Sequence, residues 1–294
     1  IDEAHGAHLG FLDRRIANAV ACGADIVIQS THKTLPSLTQ TALIHINGTL
    51  VEPAECEWQL SVFETTSPSY LLLASIDGCM DYLARCGEEA FAAWRRNLVL
   101  FEELTKDLKH LRILHYGRDA VRDYPSIYRF DKSKIVVSTD GTDLDGVALE
   151  QCLLGEFGIE PEMYLASCVT LMTGMGTTEE HIRRLAAALN AIDARCKVRK
   201  TNPSPFILKE MPVQVVGAEE ARLAPHEAVA LTEAAGRIIA RYLWAYPPGA
   251  PFLIPGEVIR DDLIAAIEDV GKRGTILKHN GRNFDGNVLV LKNK

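Results

Sequence analysis

The chain has 294 residues, room for about two domains, with 47% hydrophobic and 24% charged residues and a formal net charge of −8. That balance is ordinary for a globular protein; the acidic excess argues against non-specific nucleic-acid binding and is compatible with small cationic substrates. No stretch approaches the roughly 20 apolar residues of a membrane-spanning helix, and seven scattered cysteines without a C-x-x-C pair fit buried thiols in a reducing cytoplasm, not a disulfide framework or zinc ribbon.

In chain order, Ile1-Asp2-Glu3-Ala4-His5-Gly6-Ala7-His8 reads as the exit of a sheet strand. The spacing of Ile16, Ala19 and Val20 predicts an amphipathic helix from about Asp13 to Cys22. Ile26-Val27-Ile28 is a short β-branched strand core. Ser30-Thr31-His32-Lys33-Thr34 follows as a polar loop, then Thr41 to Ile46 as a second strand closed by an Asn47-Gly48 turn. Ser67 is expected as the N-cap, with Pro68 at the first turn, of an apolar helix through Ile76 that kinks near Gly78. Phe91, Trp94, Leu98, Phe101, Leu104 and Leu108 predict a second helix from about Glu88 to Lys109.

A smaller α/β unit is expected next. Its strands fall at 111–114, 127–130, 134–138 and 168–172, with Thr142 or Asp143 capping a helix to Leu154. Thr177-Thr178-Glu179-Glu180 is a near capping box opening a helix to about Cys196. The charged, proline-containing run from Lys197 to Pro205 reads as a linker. The remainder predicts a helix from about Pro225 to Ala235, a loop with four prolines between 247 and 255, a helix from about Asp261 to Gly271, and a terminal strand pair.

A lysine held among Ser, Thr and His can be orientated and partly desolvated, which moves its pKa toward the range where a neutral amine attacks a carbonyl. Taken alone, a loop lysine is more often solvated; the Asp2 to His8 stretch is what points to chemistry.

That stretch, followed by Ser30-Thr31-His32-Lys33-Thr34-Leu35, resembles the cofactor half of the Orn/Lys/Arg decarboxylase family, pyridoxal-phosphate enzymes of the aspartate-aminotransferase fold. The resemblance continues, in the family's order, through Thr65-Thr66-Ser67-Pro68-Ser69-Tyr70, Gly158-Ile159-Glu160-Pro161-Glu162-Met163, Tyr246-Pro247-Pro248-Gly249-Ala250-Pro251 and Pro255-Gly256-Glu257. Gly78-Cys79 depart from it, standing where many relatives carry Ala-Arg. The resemblance implies an α/β, fold-type I chain: the C-terminal part of the large domain (1–76), an aminotransferase-like small domain (77–198) and an α+β C-terminal domain (199–294). With Ile1 opening at a strand's end, it also implies a C-terminal piece of a longer enzyme that is inactive alone.

The activity implied is pyridoxal-phosphate-dependent decarboxylation of a basic amino acid in polyamine metabolism. Arginine to agmatine is favoured over lysine to cadaverine and ornithine to putrescine. In that resemblance Lys33 anchors the cofactor, and Asp2 is a buried carboxylate that keeps the pyridine nitrogen protonated. Ala4 lies beneath the ring and His5 is the larger side chain that follows it. Ser30 and His32 contact the phosphate, and His32 is also a candidate proton donor. Thr65, Thr66 and Ser67, at a helix N-terminus, suit a phosphate. In the family they reach the neighbouring subunit's cofactor, implying a homodimer or higher homo-oligomer with shared sites; ordinary capping is the alternative. Glu160 and Glu162 are candidate substrate contacts or exposed acids. His5-x-x-His8 is half a metal site without a third ligand at useful spacing, so no metal is expected. Asp2-Glu3-Ala4-His5 also spells a helicase motif, but no G-x-x-x-x-G-K-[ST] loop accompanies it and the chain is acidic. The remaining alternatives are a purely structural assembly piece and another fold-type I enzyme such as an aminotransferase.

Overall fold

The structure is a computed structural model and describes residues 1–114, 127–199, 211–246 and 249–292. In chain order its elements are β1 (Ile26–Ser30), α1 (Thr31–Thr34), β2 (Ala42–Ile46), α2 (Pro53–Phe63), α3 (Tyr70–Thr105), β3 (Arg112–Ile113), β4 (Lys134–Ser138), α4 (Gly146–Phe157), β5 (Met163–Leu165), β6 (Cys168–Met172), α5 (Glu179–Asp193), α6 (Ala218–Leu223), β7 (His226–Ala230), β8 (Leu243–Tyr246), β9 (Pro251–Leu253), α7 (Asp261–Lys272), β10 (Ile276–His279), β11 (Arg282–Asn283) and β12 (Asn287–Leu291). Sheet orders are β1-β2, β3-β4-β6-β5, β11-β10-β8-β9 and β12-β7. Two compact units result, one of residues 1–109, 113–136 and 171–195, the other of 110–112, 137–170 and 196–294. Among the described residues no helix is long and apolar enough to cross a membrane.

In the first unit β1 and β2 pair antiparallel, with Ile28 opposite Ile44. Burial follows the two-residue period of a strand: Val27 is fully buried, whereas Ile28 and Ile44 are 45% and 37% exposed. The other edge of β1 is taken by the chain's start. Ile28 N–H donates to Ile1 O (3.1 Å) and Glu3 N–H to Ile28 O (2.9 Å), so Asp2 runs parallel beside β1.

The helix expected over 13–22 is instead a run of turns. Asp13 accepts the Arg15 amide and its guanidinium (2.8–3.0 Å), and Asn18 Oδ1 accepts Ala21 N–H at 2.8 Å. Short polar side chains that capture nearby amides compete with the helix ladder. The expected lysine loop contains one helical turn, α1, closed by Leu35 N–H on Thr31 O at 3.1 Å. Helix α2 had no expectation in sequence. Pro53 opens it, its apolar residues point around the whole circumference, and none is buried.

Two helices and a kink were expected where α3 runs unbroken for 36 residues. A lone glycine costs a helix only about 1 kcal/mol, and the helix continues through Gly78. The cap is Ser69, whose Oγ accepts Leu72 N–H at 3.4 Å, not Ser67. Cys79, Phe91, Trp94 and Leu98 of α3 pack with Ala7, Leu12 and Leu35 in one core. Each large side chain there contributes about 1.5–3 kcal/mol. Helix α5 lies along α3; Thr178 caps it in a capping box completed by His181. No strand forms at 127–130, and the strand expected over 111–114 shrinks to β3.

In the second unit α4 is capped by Asp145, which accepts Ala148 N–H at 2.8 Å. Thr142 and Asp143 are otherwise engaged, Thr142 with Thr139 O and Asp143 with Lys197 N–H. The helix passes Leu154 and stops where Gly158 turns left-handed at φ 59°. The helix expected over 225–235 is strand β7 followed by a short 3-10 turn. His226 to Ala230 ladder fully onto β12, and tertiary pairing overrides the helix propensity of an Ala- and Glu-rich run. Leu243, Leu253, Ile259, Leu263, Ile267 and Val288 form the core beneath α7. Residues 200–205 of the expected linker, and Pro247 and Pro248 of the proline loop, lie outside the described residues.

Candidate active site

Asp2 bridges in parallel to Ile28, and β1 ends two residues further on at Ser30. Ligand crevices of α/β sheets open at the carboxyl ends of strands. From one end come Ala4 and His5; from the other come His32 and Lys33 on α1. Half-buried Lys33 reaches back so that Nζ lies 3.4 Å from His5 Nε2. Among the described residues no carboxylate pairs with Lys33.

Asp2 is exposed, not buried as expected, because among the described residues β1 is its one neighbouring strand. Its Oδ1 accepts Ala4 N–H at 3.0 Å, and Oδ2 has no partner among the described residues. The pinned carboxylate is Glu3, which the sequence did not single out. Glu3 accepts Ala19 N–H (2.8 Å) and the Gln29 amide (2.6 Å), and Gln29 Oε1 in turn accepts from His45 Nε2 at 3.0 Å. This chain of bonds ties the Asp2 turn to both strands. Gly6 is needed within it: a Cβ there would stand 2.4 Å from Glu3 Cγ.

The two histidines of the half metal site diverge. His5 faces Lys33; His8 is fully buried, with Nε2 on Asp131 Oδ2 (3.0 Å) and Ser133 Oγ (3.1 Å) and its ring 5.1 Å from Trp94. Burial pushes the Asp131 carboxyl upward, but the His8 bond and charge, with Lys134 and Ser133, outweigh it and hold it well below the usual carboxylate range.

Ser30 is buried at the strand's end. Thr31 Oγ1 donates to Thr41 Oγ1 at 2.8 Å inside a hydroxyl cluster that includes Ser37. His32 Nδ1 lies 2.8 Å from Thr41 O; a carbonyl only accepts, so Nδ1 carries the proton and the neutral ring keeps its lone pair on Nε2. Thr34 Oγ1 is buried with no hydrogen-bond partner among the described residues. Thr66 and Ser67 are exposed, ahead of α3 and not its cap; Ser67 N–H donates to Thr65 Oγ1 at 3.2 Å. Glu160 and Glu162 are exposed and belong to the second unit.

Pyridoxal phosphate requires an amine for its carbonyl, a carboxylate for its ring nitrogen, and polar donors for its phosphate. Among the described residues the donor set fits: an amine without an acid partner, a carboxylate with an open oxygen, and an orphaned buried hydroxyl on Thr34, the residue after the lysine.

The family model described as Orn/Lys/Arg decarboxylase, major domain, matches residues 1–146, and that of the C-terminal domain matches 208–268. The chain is 32% identical over 269 residues to the arginine decarboxylase of Bacillus subtilis (strain 168), covering 91% of this chain and 54% of the relative. It is 31% identical to the arginine decarboxylase of Bacillus anthracis, covering 89% and 53%. The constitutive lysine decarboxylase of Escherichia coli superposes with a TM-score of 0.71 at 19% identity, over 91% of this chain and 49% of that one. This chain therefore spans about half the length of the curated relatives it matches. The structural likeness shows the fold, the expected α/β architecture of fold-type I enzymes. The two family models, which together reach both units, place the chain in the Orn/Lys/Arg decarboxylase family.

Proposed function

We propose that this chain supplies the lysine side of the active site of a pyridoxal-phosphate-dependent decarboxylase acting on a basic amino acid, arginine first. The observation that carries this reading is the Lys33 amine held beside His5, with Asp2 on the adjoining parallel strand. The curated relatives named arginine decarboxylase, at about three-tenths identity, favour arginine over lysine.

When bound, pyridoxal phosphate supplies a carbonyl for amine exchange and a sink for the electrons left when the carboxylate departs as carbon dioxide. Lys33 would anchor it and later free the product amine. Asp2 Oδ2 would take the ring N–H, Ala4 would lie beneath the ring, and His5 would flank it. Ser30 would contact the phosphate. His32 has Nδ1–H committed to Thr41 O, so its Nε2 is suited to passing a proton to the α-carbon more than to donating to phosphate. Thr66 and Ser67 would reach the phosphate of a second copy in a homo-oligomer with shared sites. The three-part division at 76 and 198, a cytoplasmic location and a role in polyamine formation belong to the same reading.

Borohydride reduction of the full-length holoenzyme followed by peptide mapping should place the pyridoxyl group on Lys33. A label on another lysine would refute the assignment. Amine release compared across arginine, lysine and ornithine decides the substrate.

A further inference from the structure

Lys134 opens β4, far in sequence from both Lys33 and His5. Its ammonium carries three N–H donors, and three oxygens receive them: His5 O at 3.2 Å, Asp131 Oδ2 at 3.2 Å and Ser133 Oγ at 3.0 Å. Only 19% of the side chain is exposed. A lysine with every donor engaged acts as a fixed point, unlike a solvated surface cation. Of the groups that fix it, Ser133 is buried and Asp131 is partly buried. Asp131 Oδ2 also accepts from Ser133 Oγ (2.8 Å) and bonds His8 Nε2 (3.0 Å), and Asp131 Oδ1 accepts Ser133 N–H at 3.0 Å. His8 has no exposed surface and lies against Trp94, whose Nε1–H donates to Thr173 Oγ1 at 2.9 Å. The line from Trp94 through His8 and Asp131 to Lys134 ends on the carbonyl of the very residue whose ring meets the Lys33 amine.

We propose that Lys134, held by Asp131 and His8, is a positioning residue for the Lys33 site: it clamps the His5 carbonyl and so fixes the His5 ring against Lys33 Nζ. Glu3 secures the strand before this turn, through Ala19 and Gln29. Lys134 secures the turn itself, and the His5 side chain projects from between these anchors. The inference rests on the proposed function for its meaning, since a held His5 ring matters only if Lys33 is the reacting amine.

The test is a mutant cycle read at His5 in the full chain, with histidine ring carbons labelled; the chain has nine histidines, and His5→Gln assigns the signal. Lys33→Met should shift the His5 ring-carbon resonances, because Lys33 Nζ lies 3.4 Å from His5 Nε2. In the Lys134→Met background, and in Asp131→Asn, the same Lys33→Met change should move these resonances by less than half as much. Lys134→Arg should restore most of it. Comparing the Lys33-dependent change within each background cancels the direct loss of the Lys134 charge. The full shift persisting in a folded Lys134→Met protein would overturn the proposal, and so would no shift in the parent. If thermal melting shows that Lys134→Met does not fold, Asp131→Asn, which keeps size and removes the anchor's charge, decides between the two outcomes. The readout needs no cofactor. A full-length protein that fails to take up pyridoxal phosphate would refute the proposed function and leave this result standing.

Discussion

Lys33 Nζ and His5 Nε2 meet at 3.4 Å across 28 positions of sequence. Neither residue's own segment creates this meeting. It follows from the parallel pairing of the chain's first residues with β1, which sets the Asp2 turn and the start of α1 side by side. A lysine amine without an acid partner beside an imidazole is an arrangement for exchanging protons and attacking a carbonyl.

Asp2 is the sharpest single-atom test of the cofactor orientation. In the full-length enzyme Asp2→Asn should lower turnover by roughly 100-fold or more, as losing one preorganised charge contact does, with cofactor absorbance retained. Lys33→Ala should abolish turnover altogether. Turnover near the native rate in Asp2→Asn would remove Asp2 from the site.

Gly6→Ala should destabilise the first unit by about 1–3 kcal/mol, the usual cost of overpacking. The added methyl would strike Glu3 Cγ, and Glu3 cannot swing away without releasing Ala19 and Gln29. A urea midpoint unchanged from the native value would count against this. In the Glu3→Ala background the added methyl should cost less, the remaining close contact being Leu9 Cδ1 at 3.0 Å.

The parts of this fold that were legible in sequence are those with local causes. Val27 and its β-branched neighbours form β1, Thr178 caps α5, and Asp261 opens α7 close to expectation. His5 and Lys33 meet, and Asp2 lies beside Ile28 of β1. What was not legible depended on partners distant in sequence. His226 to Ala230 reads as helix until β12 is there to pair with it. Glu3 looks like one more acidic residue until Gln29 and Ala19 are placed beside it. Lys134 looks like the charged end of a strand until Asp131 and the His5 carbonyl arrive. Helix α2 was missed because it buries none of its residues and so shows no apolar stripe.

Shared sites can be tested by mixing. Full-length Lys33→Ala, combined with a Thr66→Ala and Ser67→Ala double mutant, should recover about one quarter of native activity. Random pairing makes half the dimers hybrid, and each hybrid has one intact site of two. No recovery despite proven hybrids would argue that Thr66 and Ser67 serve their own subunit or none.

The second unit should carry a pH dependence of its own at His279. The ring is 8% exposed, and both nitrogens are used in the neutral form: Nδ1–H donates to Tyr242 O (2.9 Å) and Nε2 accepts Leu289 N–H (2.9 Å). Burial lowers its pKa below the usual histidine value; the Tyr242 carbonyl and Asp285 pull the other way, and Arg241 adds to the lowering. In the unfolded chain the ring takes up a proton near pH 6.5. The folded ring stays neutral to lower pH, so the unfolded state binds more protons in that window and stability rises with pH across it. The urea midpoint should therefore fall as the pH drops below about 6.5 and level off once the folded ring also titrates. Asp131 acts in a separate, more acidic window: its pKa is lowered from 3.8, so its contribution is present above that value and lost below it. His279→Phe leaves Leu289 N–H without its acceptor and should cost about 1–3 kcal/mol at pH 8, while flattening the slope between pH 6.5 and 5. An equally steep slope in that variant would show that the pH dependence arises elsewhere.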